Sequence, residues 1–147
     1  MNIQLRPVRF EDWEMLLAWR NDPITRKSSH NEHEVGEHEH KSWLKNALGD
    51  ESRKLMIAEV DGRAVGHVRA EQRGYHLLSW TVAPNERGKG IGKEMVRAMV
   101  GELSGDVRAE VRSGNDASAR IAGYAGLRFE RESSGVQYFV GTGKARN

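Results

Sequence analysis

The spacing of apolar residues along this chain switches between two and three-to-four several times, and the switches mark out its elements. Ile3, Leu5 and Val8 alternate with polar neighbours, which predicts a short first strand. Over "EDWEMLLAWR" the period lengthens, and Trp13, Leu16, Leu17 and Arg20 share one stripe of a helix over 11–20. "NDP" at 21–23 reads as the end of that helix, because Pro23 has no N–H to donate and restrains Asp22 before it. The polar stretch 24–37 predicts no regular element. A second helix over 38–48 turns Trp43, Leu44 and Leu48 inward before Gly49-Asp50 stops it.

Next come "RKLMIAEV" and "RAVGHVRAEQ", joined by Asp61-Gly62, the pair suited to a type I′ hairpin turn in which both central residues take positive φ. "YHLLSWTVAP" extends the meander and stops at Pro84. A helix over 88–102 lines up Ile91, Met95, Val96, Met99 and Leu103, and "DVRAEVRS" alternates Val107, Ala109 and Val111 with Arg108, Glu110 and Arg112 in a half-buried strand. Asn115 opens a helix to about 125, two strands near 128–132 and 136–140 follow, and the closing "GKARN" reads as frayed. This order, β-α-α-β-β-β-α-β-α-β-β, predicts a mixed α/β domain spanning 1–147 around a central sheet, without internal repeats.

Composition narrows the chemistry. At 147 residues, 37% hydrophobic and 30% charged, the chain is large enough to bury a core and lies outside the disordered range. The absence of cysteine excludes disulfides, thiolate metal sites and a cysteine nucleophile. "MNIQLRPVRF" has no apolar signal core and no run approaches a membrane span, so the expectation is a cytoplasmic protein without a membrane partner. A net charge of +2 favours an anionic small ligand over nucleic acid as the partner.

The candidate for that ligand's site is "APNERGKGIGKEMVRAMV". A phosphate-binding P-loop would need glycine at Arg87 and serine or threonine at Glu94, and a dinucleotide fingerprint would need its third glycine at Lys93. Both are excluded by counting. There remains a glycine turn, Arg87-Gly88-Lys89-Gly90-Ile91-Gly92, between a strand and a helix, where unpaired N–H groups and the helix dipole suit an anion of pyrophosphate size.

Arg87, Gly90 and Gly92 in this setting resemble the Arg/Gln-x-x-Gly-x-Gly/Ala motif of the GNAT superfamily of acyl-CoA N-acyltransferases. The resemblance runs from about residue 3 to 140, and it implies a mostly antiparallel sheet whose fourth and fifth strands splay apart after a bulge. It also implies acetyl-CoA as co-substrate, with no metal. The pantetheine amides would pair with backbone groups of Trp80 and Val82, and Arg87, Gly88, Lys89, Gly90, Ile91, Gly92 and Lys93 would wrap the pyrophosphate. The N–H of Val82 would serve as the oxyanion donor. Asn115, Ser118 and Gly126 in "NDASARIAGYAGLRF" match a second family segment, which adds Asn115 and Ser118 as cofactor contacts; a helix cap also accounts for Asn115 and Gly126. Many relatives carry a tyrosine seven residues after that asparagine as general acid, but here the position is Ala122. Tyr124, the remaining candidate acid, stands about 200° further round the helix.

With no cysteine, a substrate amine would attack the thioester directly and need a base. Glu110 is the first candidate, with His76 and Ser79 behind it. For the acceptor, "LAWRNDPITRKSSHNEHE" and "HEHKSWL" resemble two GNAT branches, the amino-sugar nucleotide acetyltransferases of pseudaminic acid-type pathways and the ribosomal-protein N-acetyltransferases. This makes Arg20, Asn21, Arg26, His40, Trp43 and Ser79 candidate substrate contacts, the arginines for a diphosphate and Trp43 for stacking. A nucleotide-linked amino sugar is the expected acceptor, with a protein N-terminus or a non-catalytic acyl-CoA-binding role as alternatives. A monomer or homodimer fits either. His30, His33, His38 and His40 match no regular metal-ligand spacing, and no metal is expected.

Overall fold

The computed structural model describes residues 1–30 and 32–145. Strand β1 (Ile3–Pro7) leads through a one-turn 3-10 helix (Phe10–Asp12) into α1 (Trp13–Asn21), α2 (Pro23–Ser28) and α3 (Glu37–Leu48). Then come β2 (Arg53–Val60), β3 (Arg63–Gln72), β4 (His76–Val82), a second 3-10 turn (Pro84–Glu86), α4 (Ile91–Gly101), β5 (Asp106–Arg112), α5 (Asp116–Tyr124), β6 (Arg128–Ser133) and β7 (Val136–Thr142). They build one seven-stranded sheet of order β1-β2-β3-β4-β5-β7-β6. Among the described strands only β4 and β5 run parallel, as a βαβ crossover through α4 requires.

The alternation of β2 sorts the two faces. Met56 and Ala58 join Val68, Ala70, Leu78, Val107, Ala109 and Val111 beneath Met95, Val96 and Met99 of α4. Leu55 and Ile57 face the other way and meet Leu16 and Trp19 of α1 and Leu44 and Ala47 of α3. Each buried valine, leucine, isoleucine or methionine among them contributes about 1.5–3 kcal/mol, so the two cores hold helices to both faces. The helices of the second core cover only the β2–β4 part of their face, and β6 is exposed along its whole length.

Four expectations need correction. Leu48, expected to turn inward on the second helix, is 39% exposed, and Ala47 is buried in its place. Stretch 24–37 is not wholly irregular, because "NDP" starts a helix as well as ending one. The Asp22 carboxylate accepts from the N–H of Ile24 (3.2 Å) and Thr25 (3.1 Å), and Pro23 occupies the first helical turn, where no donor is missed. The "GKA" of the closing segment is tied down, with Gly143 N donating to Gly105 O (2.8 Å), Lys144 N to Val100 O (3.0 Å) and Ala145 N to Leu103 O (2.9 Å); the last two residues of that segment lie outside the described residues. The bulge expected in β4 is absent, since the β3–β4 ladder runs from Gln72↔His76 to Gly66↔Val82 without a register shift.

Candidate active site

The central feature is a parting of strands. β4 and β5 pair only over His76–Leu78 and Val107–Ala109, although β4 runs on to Val82 and β5 to Arg112. Each arm follows its outer partner, β4 with β3 and β5 with β7, over its full length, and the twist of the two ladders carries the arms apart without a bulge. Ala83 N donates to Val65 O at 2.9 Å, which fixes the alternation of the β3–β4 ladder. The N–H and C=O of Trp80 and Val82 therefore point to the open edge, where an extended amide chain fits as an added strand.

At the tip of β4 lies the glycine turn. Gly88 and Gly90 take φ of 79° and 80°, and among the described residues nothing beyond the chain neighbours stands within 4 Å of where a Cβ would be at either, so the backbone is bare on that side. Gly90 caps α4 in a left-handed conformation, leaving the first N–H groups of the helix free of a side-chain cap. Gly92 serves packing instead: a Cβ there would meet Ile121 Cδ1 at 2.5 Å, and its absence lets α4 close on α5. These features fit a pyrophosphate bound mainly by backbone donors.

The charged side chains of the turn are engaged elsewhere. Arg87 Nη2 bonds Asp22 Oδ2 at 2.5 Å and Thr25 Oγ1 at 2.9 Å, tying the turn to α2. Lys89 lies 3.3 Å from the buried carboxylate of Glu86, which also takes Arg63 Nε at 3.0 Å, so the turn is braced against the start of β3. Lys93 stands over the Tyr124 ring at 5.8 Å. Asp22 is both cap and anchor, and the Arg87 hydrogen bond holds its carboxyl below the usual range. Asp22→Ala is expected to lower stability by about 1–2 kcal/mol through loss of the cap, read as a shift of the urea midpoint.

Helix α5 begins as the cap reading requires. Asn115 Oδ1 accepts from Ser118 N at 3.2 Å, and Gly126 at φ 98° closes the helix with Leu127 N donating to Ala122 O at 3.0 Å. Ala122 is fully buried while Tyr124 is 43% exposed, the rotation expected from their spacing. The Tyr124 hydroxyl donates to Glu94 Oε1 (2.7 Å) and accepts from Arg97 Nη1 (3.2 Å), so it is held against α4.

On the face shared with α1 and α3, Arg69 lies opposite Ser79. Glu110, facing Tyr138 on β7, is the first residue of β5 beyond its pairing with β4. Its side chain is 32% exposed, with Oε1 3.4 Å from His30 Nε2. Arg112 Nη1 donates to the carbonyls of Lys27 (3.1 Å) and Ser29 (2.9 Å) and pairs with Glu32 (3.0 Å). The chain after α1 is thus tied to both arms, to the tip of β4 through Arg87 and to β5 through Arg112 and Glu110. His76 lies at the paired end of β4 with Nε2 3.1 Å from Ser104 O, away from the opening.

Other expected substrate contacts are distributed unevenly. Asn21 clamps the following loop, donating to Val35 O (2.8 Å) and accepting from Val35 N (2.7 Å). His40 is buried, its Nε2–H donating to Trp13 O at 3.1 Å, and burial lowers its pKa; it fastens α3 to α1. Trp43 is half-buried and stacks on His40 at 5.8 Å. Arg20 on α1 has its pKa lowered by burial and by Arg26, with Glu39 acting in the opposite direction.

Two residues of this face escaped the sequence reading. Arg69 places its guanidinium 5.3 Å from the Trp43 ring. His67, two residues before it on the same face, is pushed down to about 3 by burial and by the charge of Arg69 and His40. Polar residues spaced by two inside an otherwise apolar strand, "VGHVRA", were the available signal. The neutral His67 ring sets a sign. Its folded pKa lies below the ordinary 6.5, so the stability is present above pH 6.5 and is lost as pH falls toward 3. His67→Gln is expected to shrink the loss of unfolding free energy between pH 7 and pH 5 by up to about 2 kcal/mol, measured by urea titration at each pH.

Among the described residues no three His, Asp or Glu side chains gather as a metal site, and no helix is long and apolar enough to cross a membrane. Comparison with known proteins adds the following. No curated protein matches the chain by sequence. By structure it is similar to aminoglycoside acetyltransferase AAC(6')-Ib in complex with coenzyme A, with a TM-score of 0.81, 20% identity and coverage of 96% of this chain and 95% of that one. It is also similar to spermidine N-acetyltransferase from Vibrio cholerae in complex with CoA and spermine (TM-score 0.83, 13% identity, 96% and 95% covered). A third similar structure is ribosomal-protein-alanine N-acetyltransferase from Brucella melitensis (0.80, 23%, 95% and 99%). These likenesses concern the fold, while the acetyltransferase (GNAT) domain profile matches residues 2–128 of the sequence itself. The parted strands, the bare glycine turn and this match together place the chain in the GNAT acetyltransferase family, N-acetyltransferases that use acetyl-CoA as co-substrate.

Proposed function

We propose that this chain acetylates the primary amine of a nucleotide-linked amino sugar by direct attack. The observation that carries the reading is the cationic character of the face beside the opening, where the Arg69 guanidinium lies 5.3 Å from the Trp43 ring and Arg26 acts on Arg20 as a like charge. Polycationic acceptors such as spermine or an aminoglycoside would meet repulsion there, whereas a diphosphate would be drawn in and a base or sugar ring would have Trp43 to stack on.

Bound in the opening, acetyl-CoA supplies an activated acyl thioester. The chain's part is to hold and polarise it. Trp80 and Val82 offer backbone amides at the open edge, Val82 N–H stands as the donor for developing oxyanion charge, and the turn from Gly88 to Lys93 presents its N–H groups to the pyrophosphate. Glu110, at the mouth between the arms, takes the ammonium proton of the acceptor, directly or through one water. Tyr124 already donates to Glu94, so water returns a proton to the departing thiolate, whose low basicity asks little of an acid.

A free-thiol release assay with acetyl-CoA and an amine panel tests the reading. The expected order of kcat/KM places a uridine diphosphate-linked amino sugar above an alanine-initiated peptide and above spermidine or kanamycin. A preference for the peptide would move the chain to the ribosomal-protein type of acceptor. Release with none of the amines, despite acetyl-CoA binding, would indicate a non-catalytic acyl-CoA-binding domain.

A further inference from the structure

A cavity of about 90 Å³ opens on the part of the sheet that α1 and α3 leave uncovered, and Glu110 is in its wall. The other side chains that give it chemical character are Tyr75, Leu77, Arg108, Arg131 and Tyr138. Register makes them neighbours. Leu77 of β4 lies beside Arg108 of β5, and Glu110 lies opposite Tyr138 of β7, which in turn faces Arg131 of β6.

Arg131 owes its place to an irregularity in β6. Phe129 pairs with Phe139, so a regular ladder would set Glu130 opposite Tyr138. The register shift between Phe129 and Arg131 sets Arg131 there instead. A bulge of this kind re-aims one side chain, and here it exchanges a carboxylate for a guanidinium in the row that holds Glu110. That guanidinium lies 3.9 Å from the centre of the Tyr138 ring, and on the other flank Arg108 stands 4.6 Å from the Tyr75 ring. The rings steady both arginines. Among the described residues neither guanidinium donates a hydrogen bond, and the one ion pair either makes is that of Arg131 with Glu130 at 3.9 Å.

Arg108 and Glu110 carry opposite charges two residues apart on one face of β5, about 7 Å along the strand. Among the described residues no ion pair joins them, because Arg108 is turned to Tyr75 and Glu110 to His30. The cavity lies between these separated charges. A guest of reversed polarity satisfies both sides, with an ammonium toward Glu110 and an anion toward the arginines. Size and charge select the anion. The volume is roughly three times that of one water molecule in the liquid, which admits an amine-bearing carbon and one small acid group but no sugar ring. Glu110 and Glu130 in the same wall offset the two arginines, leaving no surplus of positive charge for a dianion such as phosphate. A carboxylate, with one charge and two oxygens, matches the guanidinium fork.

We infer that Arg108 and Arg131 form a carboxylate subsite next to Glu110, so that the amine this enzyme acetylates carries a carboxylate on the same or a neighbouring carbon. This deepens the proposed acceptor and rests on it for the role of Glu110 as base; the capture of a carboxylate between the two arginines does not.

The test is a chemical-shift titration of nitrogen-labelled protein saturated with coenzyme A, using β-alanine, its amide and phosphoethanolamine as probes. β-Alanine is expected to shift the side-chain Nε–H signals of Arg108 and Arg131, and to bind about 10- to 100-fold more tightly than its amide, which lacks the charge-assisted contact. Phosphoethanolamine is expected to bind more weakly than β-alanine. Arg108 and Arg131 are both exposed, so Arg108→Gln and Arg131→Gln should fold. Each is expected to weaken β-alanine about tenfold or more with coenzyme A affinity unchanged, and Arg131→Lys to recover part of the loss. Unmoved Nε–H signals, wild-type affinity in both glutamine variants, or tighter binding of the amide or of phosphoethanolamine overturns the proposal. Absent thiol release from every amine would sink the acetyl-transfer reading and leave this titration standing. Thiol release with a failed titration would do the reverse, so the two readings fail separately.

Discussion

Gly90→Asp is expected to weaken acetyl-CoA binding by about a hundredfold or more, the equivalent of some 3 kcal/mol. Gly90 is the N-terminal cap residue of α4, at φ 80°, with nothing within 4 Å of the position a side chain would enter. A carboxylate there would stand at the mouth of the anion cradle, occupying its space and repelling the pyrophosphate. The left-handed conformation adds about 1–2 kcal/mol of strain for most side chains, but that cost falls on stability rather than affinity, since it is incurred with or without ligand. Gly90→Asn separates charge from bulk and strain, because asparagine matches aspartate in size and in tolerance of left-handed φ but carries no charge. Calorimetric titration of both variants, with thermal melts alongside, is the measurement. Equal affinities for the aspartate and wild-type proteins would move the pyrophosphate away from this turn.

Much of the fold was legible because it rests on local periodicity. The alternation of "DVRAEVRS" placed Val107, Ala109 and Val111 in the core, and the Asp61-Gly62 hairpin emerged with Asp61 at φ 51° and Gly62 at φ 76°. Helix α2 was missed because Asp-Pro is ambiguous in sequence: the same pair that stops α1 supplies the cap and first residue of the next helix. The glycine turn was legible as a backbone device, yet its side-chain partners were not. That Arg87 would reach Asp22, 65 residues earlier, depends on tertiary placement of α2 that no spacing records. His40 and Asn21 illustrate the same limit. Both carry chemistry-bearing side chains in a suggestive segment, and both are engaged with backbone, at Trp13 and at Val35. Conversely Arg69 and His67 passed unnoticed inside a strand, since a polar residue facing a helix-covered surface looks in sequence like one facing solvent.

Glu110→Gln is expected to lower kcat by about 10²–10⁴-fold, the usual range for loss of a general base, with the dissociation constant for acetyl-CoA unchanged. The reasoning is positional. Leu78↔Ala109 is the last pair between β4 and β5, so Glu110 is the first residue of β5 at the opening, on the same face of the sheet as Ser79 and Arg69. His76, the stronger base by residue type, sits at the far, paired end of β4, its Nε2 engaged with the Ser104 carbonyl, and His76→Ala should leave kcat near wild type. Ser79 adjoins the opening but needs a base of its own to accept a proton. The His30 ring near Glu110 is exposed and lies on the chain that follows α2, so a departing or arriving acceptor can displace it without disturbing β5. Glutamine keeps the size of the side chain and much of its hydrogen bonding while removing the capacity to hold a proton, so a fall in kcat at constant cofactor affinity isolates proton transfer. A Glu110→Gln enzyme with wild-type kcat would leave water as the immediate proton acceptor. A parallel loss of acetyl-CoA affinity would instead assign Glu110 to the architecture of the opening.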